Sequence, residues 1–343
     1  MGLSVMSPNT SCDSIEIKSY TQLHINSPFL ESLPLSKLYT SENAKVWMKI
    51  DAVQPSGSFK IRGIGLLCNK VVNEKNVKHL ICSSGGNAGK SVAYAGRKLG
   101  IKTTIVLPTT IPEETVEKIR DEGANVIVHG NIWDDADSLA REIALKEGLD
   151  GYIHPFDNPT LWEGHTTIID EIYQDVSRGI SPKPDVILCS VGGGGLLIGI
   201  LKGLEKYNWS DIPIITAETY GSHSFWKSHK ENKLTKLEIS EVTSTIKTLA
   251  TRSVCSEAFE MSRRFKIIPI LVSDREAVEA CLKYVDQERI LVEPACGASL
   301  AILYKKPTEL LNLNPKNILT IVCGGNGTSI SSLNKSLQTL PIL

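Results

Sequence analysis

Residues 79–100 read HLICSSGGNAGKSVAYAGRKLG, and this stretch decides the fold. His79 to Ser83 is a short apolar run of strand length. Ala88, Val92, Ala95 and Leu99 then recur at helical spacing, and Gly100 stands where a left-handed helix end favours glycine. A strand that turns through glycines straight into a helix opens a strand-helix-strand unit of a parallel sheet. The pattern continues with strand Thr103 to Leu107, helix Pro112 to Glu122 closed by Gly123, and strand Asn125 to His129. Trp133, Ala136, Leu139, Ala140, Ile143 and Ala144 form the next apolar stripe, ended by Gly148 before a strand predicted over Gly151 to Phe156. After the breaker Ser181-Pro182-Lys183-Pro184 come strand Asp185 to Val191, helix Leu196 to Glu205, strand Pro213 to Glu218 and a last strand Asn317 to Val322. The chain therefore reads as α/β throughout, in two open twisted domains with mainly parallel sheets and no internal repeat.

Composition narrows the function. The 343 residues, 41% hydrophobic and 22% charged, suit a folded chain of one large or two ordinary domains. The net charge of −1 gives no electrostatic reason to expect nucleic acid or an anionic membrane as principal partner, which directs attention to a small-molecule site. The eight cysteines are scattered without a C-x-x-C pair or zinc spacing, and several sit in apolar runs such as Leu80-Ile81-Cys82, so a reducing compartment is expected. The N-terminal MGLSVMSPNTSCDSIEIK lacks the apolar core of a signal peptide, and Met6 breaks the myristoylation pattern. The uncharged run 186–201 contains four consecutive glycines and is too short to span a bilayer. A soluble, cytoplasmic protein is the expectation.

Three elements carry chemistry. The run Ser83-Ser84-Gly85-Gly86-Asn87-Ala88-Gly89-Lys90-Ser91 lies between strand and helix, where converging backbone N–H groups and the helix dipole favour an anion. It misses a Walker A motif by one residue, because Ser84 stands where glycine is required, and no acidic residue follows the next strands to hold magnesium. Val191-Gly192-Gly193-Gly194-Gly195-Leu196 repeats the strand-to-helix arrangement, and four glycines cost more backbone entropy than a turn alone justifies. Two anion-binding loops suggest a ligand with two anionic ends, such as an amino acid joined to a phosphate-bearing cofactor. The third element, Gln54-Pro55-Ser56-Gly57-Ser58-Phe59-Lys60, ends in a lysine among apolar neighbours, poised for the desolvation that a Schiff-base amine needs.

Together, SGSFKIRG (56–63), SSGGNAG (83–89), VGGGGLL (191–197), AETYGSHSF (217–225), LVEPACGASL (291–300) and VCGG (322–325) resemble the fold-type II pyridoxal-phosphate enzymes of the tryptophan synthase β-subunit superfamily. They are most similar to the mammalian-type L-serine/L-threonine dehydratases. The resemblance implies pyridoxal phosphate in a cleft between a large domain (1–58 plus 157–343) and a small α/β domain (59–156). It implies that Lys60 holds the cofactor and later takes the substrate α-proton, with Phe59 and Phe156 packed beside the ring. Ser83, Ser84, Gly85, Asn87 and Ala88 would bind the substrate carboxylate, and Asn87 would also hydrogen-bond the phenolic oxygen of the cofactor. Gly192, Gly193, Gly194 and Gly195, with Leu196, would hold the phosphate, and Cys323 would face the pyridine nitrogen. A neutral thiol there makes a weaker electron sink than a carboxylate, which suits β-elimination better than transamination. Glu218, Ser222 and Ser224, completed by carbonyls near Leu249 and Thr251, match a potassium-type monovalent cation site. The alternative for Glu218 is a strand-end carboxylate bonded to nearby backbone.

Two departures stand out. Asn326-Gly327-Thr328 follow VCGG where the liver-type enzymes carry Ser-Asn, and Gly85 occupies a position that close relatives fill with alanine or glycine, leaving extra room beside the substrate. The function implied is β-elimination of L-serine and L-threonine to pyruvate and 2-oxobutanoate with ammonia, in a homodimer without an effector domain. Serine racemase, with Ser84 as opposite-face base, a β-replacement synthase, and a non-catalytic pyridoxal-phosphate-binding paralogue stay open beside it. His165, in Trp162-Glu163-Gly164-His165, has no triad partner in sequence and reads as structural.

Overall fold

The computed structural model describes residues 21–341, so Cys12 and the N-terminal stretch read above lie outside it. Nine strands are present among the described residues: β1 (Phe29–Glu31), β2 (Lys45–Ile50), β3 (His79–Cys82), β4 (Lys102–Leu107), β5 (Asn125–Val128), β6 (Val186–Ser190), β7 (Ile214–Thr219), β8 (Ile267–Val272) and β9 (Asn317–Val322). They form two sheets. The larger has the order β1-β2-β9-β6-β7-β8 and the smaller the order β3-β4-β5. Every pairing is parallel except β1 with β2, an antiparallel edge. Val, Ile and Leu fill β6, β7 and β9, almost all buried, as a parallel sheet covered by helices on both faces requires.

Parallel pairing sets the register Ile50↔Val322 and Ser190↔Ala217, so the carboxyl ends of β2, β9, β6 and β7 lie along one edge of the large sheet. The lysine turn, the Cys-Gly-Gly segment, the four-glycine loop and Glu218 all leave the sheet at that edge. Ligands of open α/β sheets bind in the crevice outside the carboxyl ends of the strands.

The helix Lys60–Lys75 is anchored by a buried charge cluster. Arg62 grips Asp51 with two bonds, Nε to Oδ2 at 2.6 Å and a terminal N–H to Oδ1 at 2.8 Å, and reaches Glu171 Oε1 at 2.6 Å. Lys49 Nζ completes the balance against Glu171 Oε2 at 2.6 Å. Two cations facing two carboxylates keep the desolvated charges paired. Burial opposes ionisation of Asp51, yet Arg62 outweighs it and holds the carboxyl below its ordinary range.

Two expectations change. The strand predicted over Gly151 to Phe156 is a single bridge, Ile81↔Tyr152, closed by Ile81 N–H to Gly151 O and Ile153 N–H to Ile81 O at 2.8 Å each. The chain then turns, because the His154 ring accepts the N–H of Phe156 at 3.3 Å and of Asp157 at 2.8 Å, and Pro155 has no N–H to offer a neighbouring strand. Trp133 opens the helix Trp133–Lys146 but is 40% exposed, while Ala136, Ala140 and Ala144 supply its buried face.

Candidate active site

Lys60 is the first residue of its helix, and the turn before it is stitched to the Cys-Gly-Gly segment. Ser58 bridges Gly324, and Phe59 N–H donates to Cys323 O at 3.1 Å. Lys60 Nζ donates to Pro155 O at 2.9 Å. Burial lowers the ammonium to about 8, only slightly offset by the thiols of Cys82, Cys323 and Cys255 nearby. The helix N-terminus, where the dipole disfavours a cation, works in the same direction. Half-buried Phe59 packs on His165 at 5.0 Å between ring centroids. His165 has no hydrogen-bond partner on either nitrogen among the described residues, and burial pushes it well below its ordinary value, so it is a neutral wedge between helices.

The loop Gly192 to Gly195 leaves β6 and opens the helix Gly195–Lys206. A side chain on Gly193 would lie 2.4 Å from the Phe156 ring. One on Gly194, whose φ is +94°, would lie 2.6 Å from the Ala258 methyl. The loop can therefore offer only backbone at a helix N-terminus, which is the donor set a phosphate needs. A glycine loop at a helix N-terminus, an amine of lowered pKa and the buried Cys323 thiol together make a donor set that fits pyridoxal phosphate. Leu196 is buried behind the loop.

The segment Ser83 to Ala88 follows β3 on the small sheet, with Asn87 opening the helix Asn87–Leu99. Its side chains are already engaged. Ser83 is fully buried and donates to Asp137 Oδ1 at 2.5 Å, so its hydroxyl does not face a substrate carboxylate, in contrast to the sequence expectation. Tyr152 bonds the same Asp137 oxygen, and Arg141 Nε holds the other at 2.7 Å. Burial opposes ionisation of Asp137, but these three donors keep its carboxyl below the ordinary range. Ser84 Oγ accepts the N–H of Gly86 at 3.3 Å and is half-buried. Gly85 leaves no extra room, contrary to the sequence reading: Ile111 Cγ1 occupies the place where a Cβ would come within 2.8 Å. Asn87 Nδ2 points at Glu293, 2.5 Å from Oε1, and Asn87 Oδ1 accepts Asn326 N–H at 3.0 Å.

Glu218 is buried at the end of β7, and its two oxygens accept the N–H of Phe225 at 2.9 Å and of Trp226 at 2.6 Å. This is the backbone-capping geometry that the sequence left open. Burial nevertheless raises its carboxyl to about 8, the two N–H groups opposing. Ser222 Oγ and Thr251 Oγ1 are buried without a hydrogen-bond partner among the described residues. Ser224 starts the helix Ser224–Glu231, and Leu249 accepts Thr251 N–H at 2.7 Å. No cluster of three or more His, Cys, Asp or Glu side chains suited to a metal is found among the described residues.

Sequence reasoning gave no role to Asp137, Glu293 or Ile111, and read Asn326 only as a departure from the family pattern. Glu293 does stand in a motif, but Glu-Pro before a helix reads as a cap; in the structure its carboxylate leaves its own helix uncapped and crosses to Asn87.

Comparison with known proteins agrees with this geometry. Residues 20–324 match the family model described as pyridoxal-phosphate dependent enzyme. An L-serine dehydratase of Dictyostelium discoideum is 70% identical over 99% of this chain and 100% of its own length. An L-serine dehydratase/L-threonine deaminase of Mus musculus is 44% identical over 91% of this chain and 94% of its own. Among solved structures, a fungal L-serine ammonia-lyase from Rhizomucor miehei superposes with a TM-score of 0.84 at 32% identity, covering 93% of this chain and 99% of that one.

Proposed function

The chain belongs to the family of pyridoxal-phosphate dependent enzymes, and we propose on that footing that it converts L-serine and L-threonine to pyruvate and 2-oxobutanoate with net loss of ammonia, the water lost by β-elimination being taken up again when the released product hydrolyses. The observation that carries the proposal is Lys60, a lysine of lowered pKa whose Nζ reaches Pro155 O, next in sequence to the Phe156 ring that packs on the four-glycine loop, and whose turn is bonded to Cys323. Similarity to serine dehydratases over the whole chain gives the substrate class.

Lys60 would hold the cofactor, the amides of Gly192 to Gly195 its phosphate, and Cys323 would meet its ring nitrogen, with Phe156 against the same loop. When bound, the cofactor draws electrons away from the substrate Cα and so acidifies the Cα–H bond. Lys60 Nζ would take that proton as general base, and burial, by lowering its pKa to about 8, gives it a far larger unprotonated fraction near neutral pH than an ordinary lysine has. Backbone N–H groups of Ser84 to Ala88 would orient the substrate carboxylate at the start of the helix Asn87–Leu99. The neutral Cys323 thiol leaves the ring a modest sink, which favours departure of the β-hydroxyl over longer-lived carbanion chemistry.

The wider reading assigns residues 59–156 to a small domain around the β3-β4-β5 sheet and 1–58 with 157–343 to a large one, the pair acting as a homodimer in the cytoplasm. No described helix is long and apolar enough to cross a membrane, and the seven described cysteines are buried and unpaired, which supports a reducing compartment. A monovalent cation at Glu218, Ser222, Ser224, Leu249 and Thr251 is part of the reading, supported by the unpartnered Ser222 and Thr251 hydroxyls.

The test is an L-serine titration of the protein loaded with pyridoxal phosphate, following visible absorbance and keto acid together. A band that shifts as pyruvate accumulates is expected; a shift without keto acid replaces elimination by racemisation, β-replacement or binding alone. Lys60→Ala is expected to abolish both the lysine-bound band and turnover. In the wild-type protein the rate of cofactor capture should rise with pH through about 8 as the amine loses its proton, then level off.

A further inference from the structure

We propose that Glu293 is a positioning residue that fixes the Asn87 side-chain amide so that its second N–H faces the cofactor; the inference rests on the cofactor reading above.

Asn87 is held at both ends of its amide. Nδ2 lies 2.5 Å from Glu293 Oε1 and 3.1 Å from Oε2, while Oδ1 accepts the backbone N–H of Asn326 at 3.0 Å. A carboxylate can only accept and an N–H can only donate, so the two partners define which end of the amide is which. One Nδ2 hydrogen is spent on Glu293, and the other is left to donate. Reversing the amide would set Oδ1 against a carboxylate and Nδ2 against an N–H, losing both bonds.

The surroundings are shaped around this contact. Glu293 caps the helix Pro294–Lys305 by its backbone position, yet its side chain bonds none of that helix's N–H groups and reaches instead to a residue 206 positions earlier. Gly325 has φ of +126°, and a Cβ there would lie 2.2 Å from Glu293 Cδ, so the second glycine of the Cys-Gly-Gly segment makes space for the carboxyl. Gly327 N–H reaches Glu293 Oε1 at 3.4 Å. Asn326, which supplies the N–H to Asn87, is tied down in turn: its side-chain Nδ2 donates to Ser56 O in the lysine turn, and Lys118 Nζ donates to its carbonyl at 3.2 Å. Glu293 is 3% exposed, and no cation pairs with it among the described residues. Burial pushes the Glu293 carboxyl up, opposed by Asn87, the N–H groups of Gly327 and Asn326 and the Thr248 side chain, and a buried carboxyl held by three separate segments suits orientation of one of them.

The experiment is a double-mutant cycle on the cofactor-loaded enzyme, comparing wild type, Glu293→Ala, Asn87→Ala and the double variant. The readouts are the pyridoxal phosphate dissociation constant and the absorbance band of the lysine-bound cofactor. Glu293→Ala should weaken cofactor binding by about tenfold, as expected for losing a hydrogen bond to a charged group, and should shift the band. If Glu293 acts through Asn87, the double variant matches Asn87→Ala alone. Additive losses, or a Glu293→Ala band and dissociation constant equal to wild type, overturn the proposal. Should Glu293→Ala fail to fold, Glu293→Leu answers the same question, since an apolar side chain of comparable size offers Asn87 Nδ2 no acceptor; an unshifted band there also overturns it. Absence of any band in the wild-type protein is a different result, since it removes the cofactor reading itself.

Discussion

The two glycine-rich loops follow parallel strands and open helices, yet they are held in place by different means. Gly192 to Gly195 is fixed by shape: Phe156 and Ala258 stand where side chains would be, and Gly194 needs a positive φ. Ser83 to Asn87 is fixed by polar side chains borrowed from far along the chain, with Asp137 under Ser83 and Glu293 beside Asn87. A loop defined by backbone conformation presents a rigid row of amides to an unchanging group such as a phosphate. A loop defined by hydrogen bonds can be tuned by its partners, which suits the proposed task of orienting a substrate carboxylate.

The largest effect that could break this contrast is Gly194→Ala. The left-handed conformation costs an alanine about 1–2 kcal/mol, and the contact with Ala258 adds about 1–3 kcal/mol, so cofactor affinity should fall by roughly a hundredfold. Titration of the apoenzyme with pyridoxal phosphate measures it; unchanged affinity would show that the loop is not built by shape.

Asp137→Asn comes next. It removes the charge that Ser83, Tyr152 and Arg141 share, at about 1–1.5 kcal/mol, or roughly tenfold in KM for serine. The cofactor band should stay where it is. Steady-state kinetics beside the spectrum separates the cases, and a change in cofactor affinity without one in KM would erase the division of labour between the loops.

Gly85→Ala should be the smallest. The new methyl meets the flexible end of Ile111, which can move aside, so KM should change by less than about fivefold and Gly85→Ala with Ile111→Val should restore it. A large loss that the second substitution leaves uncorrected would show that this loop, too, is held by shape.

Much of this was open to reading in the chain. The strand β9, Asn317–Val322, has the bounds that its apolar run predicts, and the helix Asn87–Leu99 ends at Gly100 in the left-handed conformation that its position suggested. These features depend on neighbours a few residues apart. The predicted strand over Gly151 to Phe156 failed for the converse reason: its apolar pattern was adequate, but the His154 ring captured two backbone N–H groups and bent the chain away after one bridge. Ile111 filling the place of a Gly85 side chain is likewise invisible in either segment alone.

Local pattern by itself determined the α/β class, the two glycine-rich loops and the lysine turn, because strand and helix periodicity and glycine's freedom act over a few residues. The order of the sheet, the stitching of Phe59 to Cys323 and the pairing of Glu293 with Asn87 were decided only in three dimensions. A side chain at the end of one strand cannot know which other strand ends beside it until parallel pairing has brought their carboxyl ends to one edge.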